Sequence, residues 1–274
     1  MWGVESTTPP RVTAVLTRPE GRNERLAEAL QAQEVSTLIL PALQVEAVDF
    51  FTPQQHHPAH YDAVVFVSST ACECYLQALR AHAIAWPDGV YAASVGAASA
   101  RSLYQHRVLP VERIIHPPET DPNQDSEALW ALFQRRQLRF ARVLIVRGQQ
   151  GREWLGQRFE EQGAVVERVA VYRRVPAMWS STQQQQLEEA LINGICVFLL
   201  TSSESVWAMM QNIKRLGLTE LWVKQRFVAI HERIAERLQS EHQALGLDQV
   251  PMLFRSSPSI ESMCEAIVHA VSAK

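Results

Sequence analysis

The residues with chemistry to offer come in matched pairs. Two apolar runs end on arginine: VLTRPEGRNERL (15–26) stops at Arg18, and LIVRGQQGREWL (144–155) stops at Arg147, with Gly148 behind it. Two others end on hydroxyls. AVVFVSST (63–70) delivers Ser68, Ser69 and Thr70, and VFLLTSSE (197–204) delivers Thr201, Ser202 and Ser203. A third pair, AASVGAASARSL (92–103) and VAIHERIAERL (228–238), sets Gly96 and Ser99 against His231. Guanidinium groups grip carboxylates with two hydrogen bonds. Hydroxyls and the free N–H groups of helix starts donate to anions. The set therefore reads as the lining of an anion site. Tyr172, in VAVYRRV (169–175), adds a phenol able to hand over a proton.

The elements that must position these groups follow from periodicity. In the first pair one constant offset sets Glu24 on Glu153, Leu26 on Leu155, Leu30 on Phe159 and Gln33 on Gln162. In the third it sets Ala100 on Ala235 and Leu103 on Leu238. The three motifs appear once in order and then again, which predicts an internal duplication of an α/β unit. VVFV and CVFLL are nearly continuous apolar runs, as strands buried on both faces of a parallel sheet should be. Strands alternating with helical patterns predict βαβ crossovers. Residues 22–33 carry Leu26, Ala29, Leu30 and Gln33 at helical spacing, and 152–162 carry Trp154, Leu155, Arg158 and Phe159, stopped by Gly163. Residues 50–62 and 116–127 read as loops, the second ending in a Ser126 cap. The QQQQ run at 183–186 reads as a solvated helix start. Ligands of open parallel sheets bind outside the carboxyl ends of the strands, and every candidate above follows a strand and precedes a helix.

Each residue also has a plainer reading. A hydroxyl at a helix start is more often only a cap, and an arginine at a strand end is more often solvated or locally paired. Gly96 and Gly148 fit ordinary turns. Tyr172 fits an amphipathic strand with its hydroxyl at a surface. Glu73, Glu153 and Glu160 read as exposed-face helix charges. The functional reading rests on repetition at one end of the sheets. His56, His57 and His60 have no carboxylate or cysteine partner at ligand spacing and read as a solvated loop. Cys72, Cys74, Cys196 and Cys264 form no C-x-x-C pair, which argues against zinc or redox work. No G-x-G-x-x-G follows the first strand, and neither a Walker A pattern nor a G-x-S-x-G elbow occurs. With 274 residues, two domains are expected; with a net charge of -3, nucleic acid is not an expected partner. The start MWGVESTTPP reads without a secretory signal, and no apolar run nears the ~18 residues of a membrane span. A cytoplasmic location is expected.

Taken in order, TRP before an acidic helix, a strand ending in F-x-S-S, VG-x-x-S-A, LIVRG leading to GREWL, and VAVYRR resemble the uroporphyrinogen-III synthase family over about residues 12 to 271. The resemblance implies two similar parallel-sheet α/β domains joined by a two-stranded connector, with the ligand cleft between them. Residues 1–42 plus 176–274 would form the first domain and 43–175 the second, with 40–46 and 169–175 as the connector. It implies a lyase that cyclises hydroxymethylbilane, a linear tetrapyrrole with eight carboxylates, to uroporphyrinogen III. Water is lost, ring D is inverted, and no cofactor takes part. Tyr172 matches the family tyrosine proposed to assist loss of the hydroxyl. Arg18, Ser68, Ser69, Thr70, Gly96, Ser99, Arg147, Gly148, Thr201, Ser202, Ser203 and His231 would bind substrate. A transient contact with the enzyme that makes hydroxymethylbilane fits the same picture. The sequence departs from the family at His231–Ile234, where HERI replaces a G-x-x-T or S-x-x-T turn. Val67 stands where threonine is usual, and Glu204 where a small or polar residue is usual. The alternative is a divergent, non-catalytic two-domain module that binds an anion or tetrapyrrole. A pair of glycosyltransferase-like domains lacks a nucleotide-sugar signature.

Overall fold

Strands that the sequence marks as apolar on both sides lie in the middle of two sheets. The computed structural model describes residues 11–106, 109–246 and 251–273. The chain divides into two compact units, one running to Gln44 and resuming at Val175, the other spanning Val45–Arg174.

The first unit holds β1 (Arg11–Leu16), α1 (Glu24–Gln31) and β2 (Ser36–Ile39), and the chain leaves it along β3 (Leu43–Ala47). The second unit holds a short α2 (Pro53–His56), β4 (Ala63–Phe66), α3 (Ser69–Ala81), β5 (Tyr91–Ser94), α4 (Ala97–His106) and β6 (Ile114–Ile115). It continues with α5 (Ser126–Arg135), β7 (Arg142–Gly148) and α6 (Trp154–Glu161), and β8 (Val165–Pro176) leads back. The first unit then completes with α7 (Ser181–Asn193), β9 (Gly194–Leu200), α8 (Ser203–Arg215), α9 (Thr219–Trp222), β10 (Arg226–Ala229), α10 (Glu232–Gln243), β11 (Met252–Arg255) and α11 (Ile260–Ser272).

The strand order is β11-β10-β9-β1-β2 in one sheet and β3-β8-β7-β4-β5-β6 in the other. Read from β6, the second repeats the first, with β4, β5, β7 and β8 in the places of β9, β10, β1 and β2. The three sequence pairs fall on equivalent strands. Neighbouring strands pair in parallel: Val15 lies beside Leu38 and Phe198, and Phe66 beside Ser94 and Val146. β3 is the exception. The Val48 N–H donates to the Val171 carbonyl at 3.1 Å and the Ala177 N–H to the Ala42 carbonyl at 2.9 Å, so β3 and β8 run antiparallel.

Alternate residues of each strand feed opposite faces. In the first unit Val15, Phe198 and Phe227 pack with Leu187, Met209 and Leu238, while Leu16, Val197 and Leu199 pack with Leu26, Leu30 and Ile267. In the second, Phe66, Leu144 and Val146 meet Tyr75, Leu76 and Leu103, while Val65, Val143 and Ile145 meet Phe133, Leu155 and Phe159. Helices on both faces explain why these strands lack polar alternation.

Some local expectations are corrected. The cap of α5 is Asp125, whose carboxylate accepts from the Ala128 N–H at 2.8 Å, and Ser126 is already helical. Asp125 has the extended backbone usual for a cap, with φ -143°. Gln33 lies beyond α1, in a turn where Glu34 adopts φ 59°. The glutamine run does start a helix, lying unburied in the first two turns of α7 behind a reciprocal Ser180–Gln183 capping box. Residues 50–62 are not wholly loop, since they contain α2 and a 3-10 turn at Pro58–His60.

Candidate active site

Within the second unit, the carboxyl ends of β4 and β7 open on a cavity of about 210 Å³. Tyr172 enters it from β8. Along β7–β8, Arg147 pairs with Ala170 but Gly148 pairs with Tyr172, so Val171 is an extra residue and β8 bulges there. Bulges re-aim side chains, and this one brings a phenol, only 5% exposed as a residue, against Gly148. The phenol oxygen lies 3.2 Å from Ser68 Oγ. Ser68 is the N-cap of α3, accepting from the Ala71 N–H at 3.1 Å. The same hydroxyl therefore starts a helix and holds the tyrosine. The Arg174 guanidinium lies 5.9 Å from the Tyr172 ring centre, within cation–π range.

The cavity is lined by four arginines, Arg147, Arg152, Arg168 and Arg174, and one carboxylate, Glu153. Arg147 is buried, its Nε donates to the Gly148 carbonyl at 3.3 Å, and one terminal nitrogen pairs with Glu153. The second Glu153 oxygen takes Arg168 Nε at 2.9 Å, and Arg168 also reaches Glu160 at 2.9 Å. Arg147, then Arg168, hold the Glu153 carboxyl below its ordinary range. Arg152 forms a two-pronged pair with Glu127. Glycines make room for these long side chains. A Cβ at Gly151 would stand 2.9 Å from an Arg147 nitrogen, and one at Gly156 would collide with Arg168.

Ser68, Arg147, Gly148 and Tyr172 are thus brought together. Ser69 and Thr70 open α3 directly behind Ser68. Gly96 and Ser99 are placed elsewhere. Gly96 is covered by Gln124, whose amide oxygen accepts from the Ala97 N–H at 2.7 Å, and Ser99 is buried in α4. In the first unit, Arg18 follows β1, and burial followed by its neighbour Arg22 lowers its pKa. Thr201 follows β9, and Ser202 shares a capping box with Ser205. Ser203 Oγ donates to the Arg233 carbonyl at 3.4 Å. His231 caps α10, its Nδ1 accepting from the Arg233 N–H at 3.4 Å. An imidazole thereby replaces the hydroxyl that the HERI turn lacks, and Glu232 pairs with Arg255.

The acidic residues read as exposed-face charges are all paired: Glu73 with His106 at 3.0 Å, Glu160 with Arg168, and Glu153 with two arginines. Helical periodicity says nothing of an arginine arriving from another element. Arg168 and Gln124 were missed for the same reason, although the closely spaced glycines of LIVRGQQGREWLG were a usable signal of tight side-chain passage. His56 and His57 accept from the backbone N–H groups of Thr52 and Ala59. Among the described residues no group of three or more His, Cys, Asp or Glu side chains is placed to hold a metal. Nor is any of their helices long and apolar enough to cross a membrane.

The family model for Uroporphyrinogen-III synthase HemD matches residues 24–249. A Proteus mirabilis protein named Uroporphyrinogen-III synthase is 25% identical over 167 residues, 60% of this chain and 81% of the relative. The crystal structure of uroporphyrinogen-III synthetase from Helicobacter pylori 26695 is similar at TM-score 0.51 and 15% identity, covering 94% of this chain and 99% of that one. A mutant uroporphyrinogen III synthase from the extremely thermophilic bacterium Thermus thermophilus aligns at TM-score 0.49 and 16% identity, covering 96% and 100%.

Proposed function

Because the chain belongs to the uroporphyrinogen-III synthase family, we propose that it is a lyase of haem biosynthesis that cyclises hydroxymethylbilane to uroporphyrinogen III. The observation that carries this reading is the Tyr172 hydroxyl, 3.2 Å from Ser68 Oγ in a cavity lined by four arginines. The substrate bears eight carboxylates, and arginines are suited to gripping them. Pockets that enclose drug-sized ligands run to about 300–1,000 Å³, so a cavity of 210 Å³ suits one terminal ring and its arms rather than the whole bilane.

In this reading Tyr172 hands its proton to the terminal hydroxymethyl oxygen, and the C–O bond breaks with loss of water. The azafulvene that remains is attacked by ring D to give a spiro intermediate. That intermediate fragments and recloses with ring D inverted, and the proton released as the ring regains aromaticity restores the phenol. General-acid help of this kind contributes roughly 10²–10⁴-fold. Holding a flexible chain in the folded, near-attack shape supplies much of the rest. Ser68 fixes the phenol, and Arg147 is a buried cation of the cavity for a substrate carboxylate. Arg18, Thr201, Ser202, Ser203 and His231 would serve the remaining carboxylates.

The test is to generate hydroxymethylbilane in place, add the protein, oxidise the products and separate the uroporphyrin isomers. Uncatalysed closure gives the type I isomer. A type III product rising with protein concentration is expected. Type I alone would overturn the synthase reading in favour of a non-catalytic tetrapyrrole-binding module.

A further inference from the structure

Arg147 and Arg168 come from different strands, yet both end on the carboxylate of Glu153. The partners are unequally held. The Arg147 side chain is 10% exposed and that of Glu153 is 51% exposed. Arg147 is pinned by its bond to the Gly148 carbonyl and by the space left at Gly151. Glu153 stands at the N-cap of α6 but makes no side-chain capping bond. It can turn into water without unravelling α6, whereas Arg147 cannot leave without abandoning a buried charge. An anion entering the cavity meets fixed guanidinium groups and a displaceable carboxylate.

We propose that Glu153 is an internal competitor for ligand carboxylates, holding Arg147 and Arg168 until a substrate carboxylate takes its place. Glu153 then acts on specificity. A simple carboxylate must displace it with no other contact to help, while a ligand with many carboxylates draws on binding elsewhere. Affinity for the wrong anions is suppressed by a built-in rival. The inference rests on reading this cavity as the place where a substrate carboxylate enters.

The test uses the full-length protein and glutarate as the probe, by calorimetric titration of wild type and Glu153→Gln, an isosteric change that removes the charge. Glutarate should bind the variant about tenfold more tightly, and the KM for hydroxymethylbilane should fall. A brace that merely orients Arg147 would move both the other way. Equal or weaker glutarate affinity in the variant, or no saturable binding by either protein, overturns the proposal. Should Glu153→Gln fail to melt cooperatively, Glu153→Asp decides, because the shorter side chain keeps the charge but cannot span both arginines. It should bind glutarate more tightly than wild type. The synthase reading fails separately, through absence of type III product in wild type, whatever glutarate does.

Discussion

Gly148 lies directly under the ring of Tyr172. A Cβ built on Gly148 would stand 2.7 Å from Cζ, 2.8 Å from Cε2 and 3.0 Å from the phenol oxygen. Real Cβ atoms do not approach so closely, so any side chain here must push the phenol away from Ser68. A shift of about 1 Å in a reacting group can cost on the order of 10²-fold. Gly148→Ala should therefore lower turnover at least as far as Tyr172→Phe, although it removes no functional group. Isomer analysis under saturating substrate checks this, and near-normal type III synthesis by Gly148→Ala would show that the phenol need not stay at Ser68.

Tyr172→Phe removes the proton and leaves the cavity's shape. Turnover should fall about 10²-fold while residual type III product persists, since positioning is retained. Ser68→Ala should lower turnover less and stability more. It removes the α3 cap, a loss of about 1 kcal/mol, together with the bond to Tyr172. Ser180→Ala loses a cap alone within its own box and gives the stability-only comparison. Wild-type turnover in Tyr172→Phe would end the acid role.

The frame of each unit was legible because both halves carry the same strand–turn–helix grammar. The pairs 15–18 with 144–147, 63–70 with 197–204 and 92–103 with 228–238 land on equivalent strands, since a buried parallel strand leaves an unbroken apolar run. Side-chain wiring was less legible. The bulge that turns Tyr172 toward Gly148 has no signature in VAVYRR, because a two-against-one register belongs to a strand pair and not to one strand. Glu153 looked like a solvated helix charge because its partners lie on β7 and β8. Gln124 closes the α4 start from the loop before α5, so Gly96 could not be seen as covered from its own segment.

Arg147→Ala leaves Glu153 facing Arg168 alone and takes a buried cation from the cavity. Hydrogen bonds to charged groups are each worth about 1.5–3 kcal/mol, so the KM for hydroxymethylbilane should rise tenfold or more. Arg147→Lys should recover little, because an ammonium cannot copy the planar two-pronged contact. Steady-state kinetics of the two variants read this directly. An unchanged KM in Arg147→Ala would remove Arg147 from the binding surface.

Stability in acid should depend on His242, far in sequence from these groups. This imidazole is 2% exposed, packs edge-on to Phe227 at 5.6 Å, and contacts the Leu238 carbonyl through Nδ1 at 3.0 Å. That contact puts the proton on Nδ1, and Nε2 is buried without a hydrogen-bond partner. Protonation would add a buried charge and an unmatched N–H. Burial accordingly lowers the pKa from its ordinary 6.5. The folded chain then holds the neutral form where the unfolded chain already binds a proton, so stability falls as pH drops below about 6.5. His56, lowered by burial too, adds a slope of the same sign. The decisive quantity is therefore the difference between wild type and His242→Phe in denaturant melts at pH 7.5 and 5.5. The variant should lose less stability between the two pH values than wild type does. An equal loss in both proteins would mean that the imidazole is protonated within the fold.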